Sequence, residues 1–137
     1  MNLSDVIAEL RELNEPVPKP LRLPTAAEVN AAEDQLGVKF PADYRQYLLA
    51  ASDVVYGTLE PAIVIPDAGH LSLIDIAETA WDEMEVPRAR LAFCEDNGDY
   101  YCLNQAGEVE FWSHDGATDE KWKDLATWIK EVWINQG

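Results

Sequence analysis

The sequence predicts a single α+β domain in which an antiparallel sheet packs with N-terminal helices and a C-terminal helix. First, a chain of 137 residues fits one domain with a core of its own. Second, residues 90–112 hold three short runs typical of strands, separated by two turn sequences, which predicts a three-strand β-meander. Third, segments with helical periodicity lie on both sides of this stretch, and no internal repeat is present.

The first predicted helix begins near Ser4, whose hydroxyl is suited to cap it, and carries Val6 and Leu10 on its apolar stripe. A loop follows, because three prolines within five residues cannot continue a helix. Residues 1–20 are therefore predicted to be a helix and a proline-rich loop at the start of a single domain that spans residues 1–137.

Two further helices are predicted after this loop. Thr25 and Glu28 form a capping box at the start of the first, and Gly37 ends it, since glycine suits the left-handed conformation found after helices. Pro41 suits the first position of the second helix. Its apolar residues recur at helical spacing, which favours burial over a ligand-binding cage: Tyr44, Tyr47, Leu48 and Ala51.

Between these helices and the meander, two short strands and a fourth helix are predicted. The strands are assigned to Val54–Tyr56 and Ala62–Ile65, which are rich in β-branched residues and bounded by glycine and proline. Ser72, with Asp75 three residues later, is predicted to cap a helix over Ile74–Met84.

The meander is predicted from its turns and its alternation. Asn97-Gly98 between two apolar runs indicates a hairpin, because both residues accept the positive φ of a type I′ turn. The third strand is expected over Glu108–Trp112. Val109 and Phe111 lie on one of its faces, and the other face carries Glu108, Glu110 and Trp112.

A C-terminal helix is predicted after a turn at Ser113–Gly116. Asp119 and Glu120 favour a helix start through their interaction with the helix dipole. An apolar stripe then runs toward the C-terminus through Trp122, Leu125, Ile129, Val132 and Trp133. Trp128 lies off this stripe and is expected either to pack elsewhere or to be exposed.

The two cysteines flank the predicted hairpin turn. If the loop has two residues, Cys94 pairs with Tyr101 and Cys102 with Phe93, so the sulfurs point to opposite faces and cannot bond. A three-residue loop would place the cysteines opposite each other and allow a disulfide. Two buried thiols in a reducing cytosol are the favoured alternative.

The composition excludes several classes of partner. The chain has 26 acidic and 10 basic residues and a formal net charge of −16, which argues against nucleic acids and anionic membranes. Residues 71–137 hold 15 of the acidic and 5 of the basic residues, so a basic partner would be drawn to this half. The chain has no long apolar run and no basic leader, so neither a membrane span nor a secretory signal is predicted, and a cytoplasmic location is expected.

Two segments of the sequence resemble a known family. Residues 36–48, LGVKFPADYRQYL, resemble the opening signature of the SUKH superfamily, the Smi/Knr-like domain. Residues 98–103, 107–109 and 112–115 resemble the meander of the same superfamily, and a C-terminal amphipathic helix completes the resemblance over roughly residues 21–136. Where the family often has Asn-Gly after the second helix, this chain has Ser52-Asp53.

The resemblance implies a non-enzymatic α+β domain that binds another protein. Bacterial members typically act as immunity proteins that neutralise a cognate toxin, and other members serve as regulatory interaction domains. A basic toxin domain, such as a nuclease, suits the acidic charge of this chain. Neutralisation would then be stoichiometric occlusion by an acidic face, with a regulatory domain that has no toxin partner as the alternative.

Acidic residues beside aromatic residues are the candidate partner-binding positions. Glu108, Glu110 and Trp112 combine two carboxylates with an indole on one strand face, which suits an interface, unless a helix covers that face. Trp81 belongs to a second cluster at a helix end, unless its indole packs inward. The remaining candidates are turn residues near the meander: Asp96, Asp99, His114 and Asp115.

No catalytic, metal or cofactor site is expected. His114-Asp115 is the only adjacent pair of a histidine and a carboxylate, and a thiol site would need a cysteine beside this imidazole. Cys94, in mid-strand, is more typical of a core residue. A small-molecule-binding or hydrolytic role of the His114 region stays as an alternative. The cysteines and histidines do not have metal-binding spacing, and the aspartates near Asn97 lack the pattern of a calcium loop.

Overall fold

Four helices precede an antiparallel sheet and a fifth follows it in the computed structural model, which describes residues 2–135. The first and the last two residues of the predicted 1–137 domain lie outside this range. The helices are α1 (Leu3–Glu12), α2 (Ala26–Leu36), α3 (Ala42–Ala51), α4 (Leu73–Glu83) and α5 (Leu125–Trp128). The strands are β1 (Leu91–Asp96), β2 (Asp99–Leu103), β3 (Val109–Ser113) and β4 (Gly116–Trp122). The predicted α+β class is confirmed.

The strands are ordered β1-β2-β3-β4, and each is antiparallel to the next. Asn97 and Gly98 have φ values of 54° and 90°, as the predicted two-residue turn requires. Cys94 lies opposite Tyr101, as expected, but a bulge in β1 places Cys102 opposite Ala92, and the prediction of Phe93 was wrong. Both cysteines are free and buried.

Residues 116–122 form a fourth strand, so the prediction that the C-terminal helix begins at Asp119 and Glu120 was wrong. The strand pairs with β3 from Gly116 to Trp122, and the Thr118 hydroxyl donates to the carbonyl of Phe111 at 2.7 Å. An edge strand has one side open to water, so charged side chains are compatible with it. The helix begins only at Leu125, where Asp124 caps it by accepting from the backbone N–H of Thr127.

The two strands predicted before α4 are absent from the described residues. Backbone groups near Val55 bond to the loop after α1: Glu15 N–H donates to the carbonyl of Val55 at 2.8 Å. Ala62 and Ile63 bond to Phe93 and Leu71, respectively. These hydrogen-bond partners lie in several separate segments, so the residues form single bridges and no continuous β-ladder. Ala62 and Ile63 are nevertheless buried.

The helix caps agree largely with the sequence. Thr25 and Glu28 form the capping box of α2, and Gly37 ends that helix with a φ of 69°. Ser72 caps α4 as predicted. Two predicted cap positions were wrong by one or two residues. Asn2 caps α1 in place of Ser4, and Pro41 is the N-cap of α3 and not its first helical residue.

The core lies where the sheet meets helices α3, α4 and α5. Trp128 is 1% exposed, so the alternative that it is exposed was wrong. A π-helical segment, Ile129–Ile134, continues α5, and the residues predicted for the apolar stripe of this helix are buried: Leu125, Ile129, Val132 and Trp133. Helix α1 packs against α3 and this C-terminal segment. Over residues 2–135, the helices lack the combination of length and apolar character that a membrane crossing needs.

Candidate functional site

Two turns meet at one end of the sheet and carry a cluster of carboxylates. Asp96 and Asp99 close the β1–β2 hairpin, and Ser113 and Gly116 close the β3–β4 hairpin. Strands in a meander alternate in direction, so these two turns lie at the same end. We call this surface the acidic end and define it by Glu95, Asp96, Asp99 and Asp115.

Hydrogen bonds hold the two turns of the acidic end together. Asp99 Oδ1 accepts from the backbone N–H of His114 at 2.8 Å and lies 3.0 Å from His114 Nδ1. His114 Nε2 lies 3.4 Å from Asp115. Within the first turn, Glu95 accepts from the backbone N–H of Gly98 at 2.7 Å. The carboxylates are therefore presented on two turns of defined geometry.

The Asp99–His114 contact changes the pKa of both groups. The hydrogen bond from the His114 side chain, followed by that from its backbone, lowers the pKa of Asp99. The same side-chain bond, with the charges of Asp115 and Asp99, raises the pKa of His114 above 6.5. The imidazolium and the carboxylate therefore favour each other's charged form.

Replacing Asp99 with asparagine should lower the pKa of the His114 imidazole toward its ordinary value, because the charged partner is lost. An NMR titration of the imidazole measures this shift. Asp119→Asn is the matched control, since it removes one carboxylate from an exposed position on β4. An unchanged His114 midpoint in Asp99→Asn would contradict the pairing.

The same pair should make the free energy of unfolding depend on pH. His114 has a raised pKa, so its contribution is full below pH 6.5 and is lost as the pH rises through the folded-state pKa. Asp99 has a lowered pKa, so its contribution is present above pH 3.8 and is lost as the pH falls through the folded-state pKa. The difference in the free energy of unfolding between wild type and Asp99→Asn, measured by urea denaturation, should therefore be largest between pH 3.8 and pH 6.5.

Glu108 and Glu110 lie toward the other end of β3 and are already engaged. Arg90 Nε donates to Glu110 at 2.8 Å, and Asn104 donates to both glutamates at 2.8–2.9 Å. The Glu110 side chain is 13% exposed. Burial opposes its ionisation, yet the bonds from Arg90 and Asn104 hold its pKa below the ordinary value. Glu110 thus has a structural role, contrary to the expectation of an accessible acid.

The two tryptophan candidates differ in accessibility. Trp81 is 7% exposed, and its indole N–H donates to the carbonyl of Arg90 at 2.7 Å, so the inward-packed alternative is the correct one. Trp112 is partly buried, opposite Tyr100 and Ala117. It immediately precedes the β3–β4 turn, so it lies beside the acidic end.

The two thiols are buried, and the His114 imidazole lies on the surface. Burial raises the pKa of Cys102 to about 12 and that of Cys94 further, so both thiols are protonated and weakly nucleophilic at neutral pH. His114 is exposed and bonded to carboxylates. Within residues 2–135, no three His, Cys, Asp or Glu side chains are grouped closely enough to hold a metal ion.

A cleft that the sequence did not indicate lies at the opposite end of the sheet. Its lining comes from three separate parts of the chain and includes two cationic residues, Lys39 and Arg88. These residues are distant in sequence, so no local pattern marks them as neighbours.

Comparisons with known proteins agree on the fold. The family model SUKH_5, described as SMI1-KNR4 cell-wall, matches residues 3–134. A crystal structure of a protein from Pseudomonas syringae pv. tomato is similar to this chain, with 42% sequence identity and a TM-score of 0.91. The alignment covers 96% of this chain and 98% of that one. No curated protein matches the chain.

Proposed function

The chain belongs to the SMI1-KNR4 family of the SUKH superfamily, and on that premise we propose that it is a cytoplasmic immunity protein that neutralises a cognate bacterial toxin. The family includes immunity proteins, and these act by binding another protein. The single observation that carries the proposal is the acidic end, where carboxylates are presented on two mutually bonded turns.

The mechanism is stoichiometric occlusion of a basic active-site cleft. The net charge of −16 and the local carboxylates attract a basic domain and speed the encounter. Trp112, partly exposed beside the acidic end, supplies an aromatic contact of the kind that stabilises protein interfaces. The bonds between His114 and Asp99 keep the turns in place, so little conformational entropy is lost on binding.

The proposed role is non-enzymatic, and it needs neither metal nor cofactor. Burial and the raised pKa of both thiols support this part of the proposal. A regulatory domain without a toxin partner could use the same surface, and the identity of the captured protein distinguishes the two roles.

The first test is capture of the tagged protein's partner from cells of its source organism at low salt. We expect one basic, toxin-like protein in a one-to-one complex, released as ionic strength rises because exposed charges are then screened. Mass spectrometry identifies the bound protein. Capture of an acidic or a neutral regulatory protein alone would overturn the toxin assignment.

The second test locates the binding surface. Asp96→Lys with Asp115→Lys should reduce the association rate with the captured partner by about tenfold or more, because two attractive charges become repulsive. Asp115 is 87% exposed, and Asp96 is partly exposed at the last position of β1, so the fold should be retained.

Glu12→Lys with Asp34→Lys is the matched control, since it changes the net charge equally at exposed positions on α1 and α2. Stopped-flow association rates should stay within about threefold of wild type for this control. Equal slowing by the two double variants would mean that net charge, rather than the acidic end, governs the encounter.

A further inference from the structure

A cleft of about 620 Å³ lies at the end of the sheet away from the acidic end. One wall is the α2–α3 loop, Gly37–Pro41, and a second is formed by Arg88, Ala89 and Leu91 before β1. The third is the start of the β2–β3 turn, 103–105. This volume is within the usual range for binding sites.

The charge of the cleft is opposite to that of the chain as a whole. Its lining residues include Lys39 and Arg88 and no carboxylate. Six of the ten basic residues lie within 4.0 Å of a carboxylate: Arg11, Arg22, Arg45, Arg90, Lys121 and Lys130. In the described part of the chain, Lys39 and Arg88 are two of the four that have no such partner. An acidic protein thus keeps two unneutralised cations together in one concave site.

Contacts within the protein fix the position of Arg88 in the wall of the cleft. The Arg88 guanidinium lies 4.0 Å from the ring centroid of Trp81, and the Trp81 indole is itself bonded to the Arg90 carbonyl. A stacked guanidinium retains its N–H groups for a carboxylate, which it binds through two parallel hydrogen bonds. Arg88 is therefore oriented before any ligand arrives.

The other two walls are similarly fixed. Glu33 accepts from the backbone N–H of Phe40 at 2.7 Å and from Arg45 at 3.0 Å, which holds the loop that carries Lys39. Asn104 accepts from two backbone N–H groups of its own turn. The Glu33 carboxylate borders the outer side of Lys39, together with exposed Asp34, but it is already engaged in these bonds.

We propose that this cleft binds an acidic peptide segment of a partner protein. Lys39 and Arg88 hold a carboxylate from two walls, and a neighbouring apolar side chain of the peptide packs against Val38, Pro41 and Leu91. The rim residues Lys39, Arg88 and Gln105 are exposed, so an extended chain can cross the cleft. The site is additional to the proposed toxin surface, whose partner is basic.

The test uses a blocked hexapeptide in which leucine and glutamate alternate, with a glutamine-for-glutamate twin as the control ligand. Two-dimensional NMR of the ¹⁵N-labelled protein should show shifts centred on the amides of 37–39 and 103–105 with the glutamate peptide. The glutamine peptide should bind at least about tenfold more weakly, because a carboxylate bonded to Arg or Lys is worth more than an amide. Equal binding of the two peptides would overturn the proposal.

Two pairs of substitutions test whether Lys39 and Arg88 bind the carboxylates of the peptide. Lys39→Gln with Arg88→Gln should weaken glutamate-peptide binding at least about tenfold. Lys19→Gln with Lys123→Gln removes the other two basic residues without a carboxylate partner and should leave binding within about twofold. Equal weakening by the two pairs would overturn the proposal. If loss of the Arg88–Trp81 stacking perturbs the fold, Lys39→Gln alone serves, with Lys19→Gln as its control.

Two further results would assign the cleft to another occupant. Hexanoate binding as tightly as the peptide would make the site one for small organic anions. Self-association by ultracentrifugation that Lys39→Gln with Arg88→Gln abolishes would place a second copy of this chain in the cleft. Either result overturns the peptide assignment.

Discussion

Replacing Trp128 with alanine should lower the free energy of unfolding by about 3–5 kcal/mol, the range for loss of a large aromatic side chain from a core. The residue is 1% exposed. Its ring centroid lies 4.9 Å from that of Phe93, 5.1 Å from that of Tyr101 and 6.4 Å from that of Trp133. One substitution therefore removes contacts that join β1, β2 and the C-terminal segment. Urea denaturation monitored by far-UV circular dichroism measures the change.

Trp122→Ala provides the matched control for this prediction. Trp122 is on the stripe that the sequence predicts, yet it is only partly buried and lies at the end of the edge strand β4. Its substitution should cost clearly less than that of Trp128, because less apolar surface is removed from the core. The reverse order of the two losses would contradict the packing described here.

Replacing Leu10 with alanine should lower the free energy of unfolding by about 2–5 kcal/mol. Leu10 is 0% exposed, and α1 is tied to the rest of the domain on both sides. Arg11 lies 2.7 Å from Asp53, and Lys130 lies 2.7 Å from Glu9. We therefore expect α1 to unfold together with the domain in one transition.

Glu12→Ala is the control on the same helix, because its side chain is exposed and its loss should change the free energy of unfolding by no more than about 0.5 kcal/mol. Thermal and urea denaturation measure both variants. A cost below about 1 kcal/mol for Leu10→Ala would show that α1 is peripheral to the cooperative unit.

The order of elements and several of their boundaries could be predicted from short sequence patterns. Thr25 with Glu28 and Ser72 bond to backbone N–H groups within a few residues, and Gly37 and Asn97 adopt a positive φ, so their effects are local. Strand β4 could not be predicted in this way. Its charged sequence also suits a helix start, and pairing with β3 decides between the two structures.

The candidate site was predicted in part. Asp96, Asp99, His114 and Asp115 were all candidates as turn residues near the meander, and two hairpins bring them to one end of the sheet. Glu110 was proposed for its alternation on β3, but Arg90, distant in sequence, pairs with it. An alternating pattern identifies the face on which a side chain lies, and it does not identify the charged residue that lies next to it.

The amino-acid sequence by itself determined the α+β class, the first three strands, the caps of α2 and α4 and the acidic composition, because each depends on residue type and on spacing over a few positions. Only the tertiary structure decided which carboxylates are neutralised, which tryptophans are buried and that Lys39 and Arg88 line the same cleft. These properties depend on contacts between segments far apart in the chain, where the low-dielectric core and the matching of distant partners outweigh local preference.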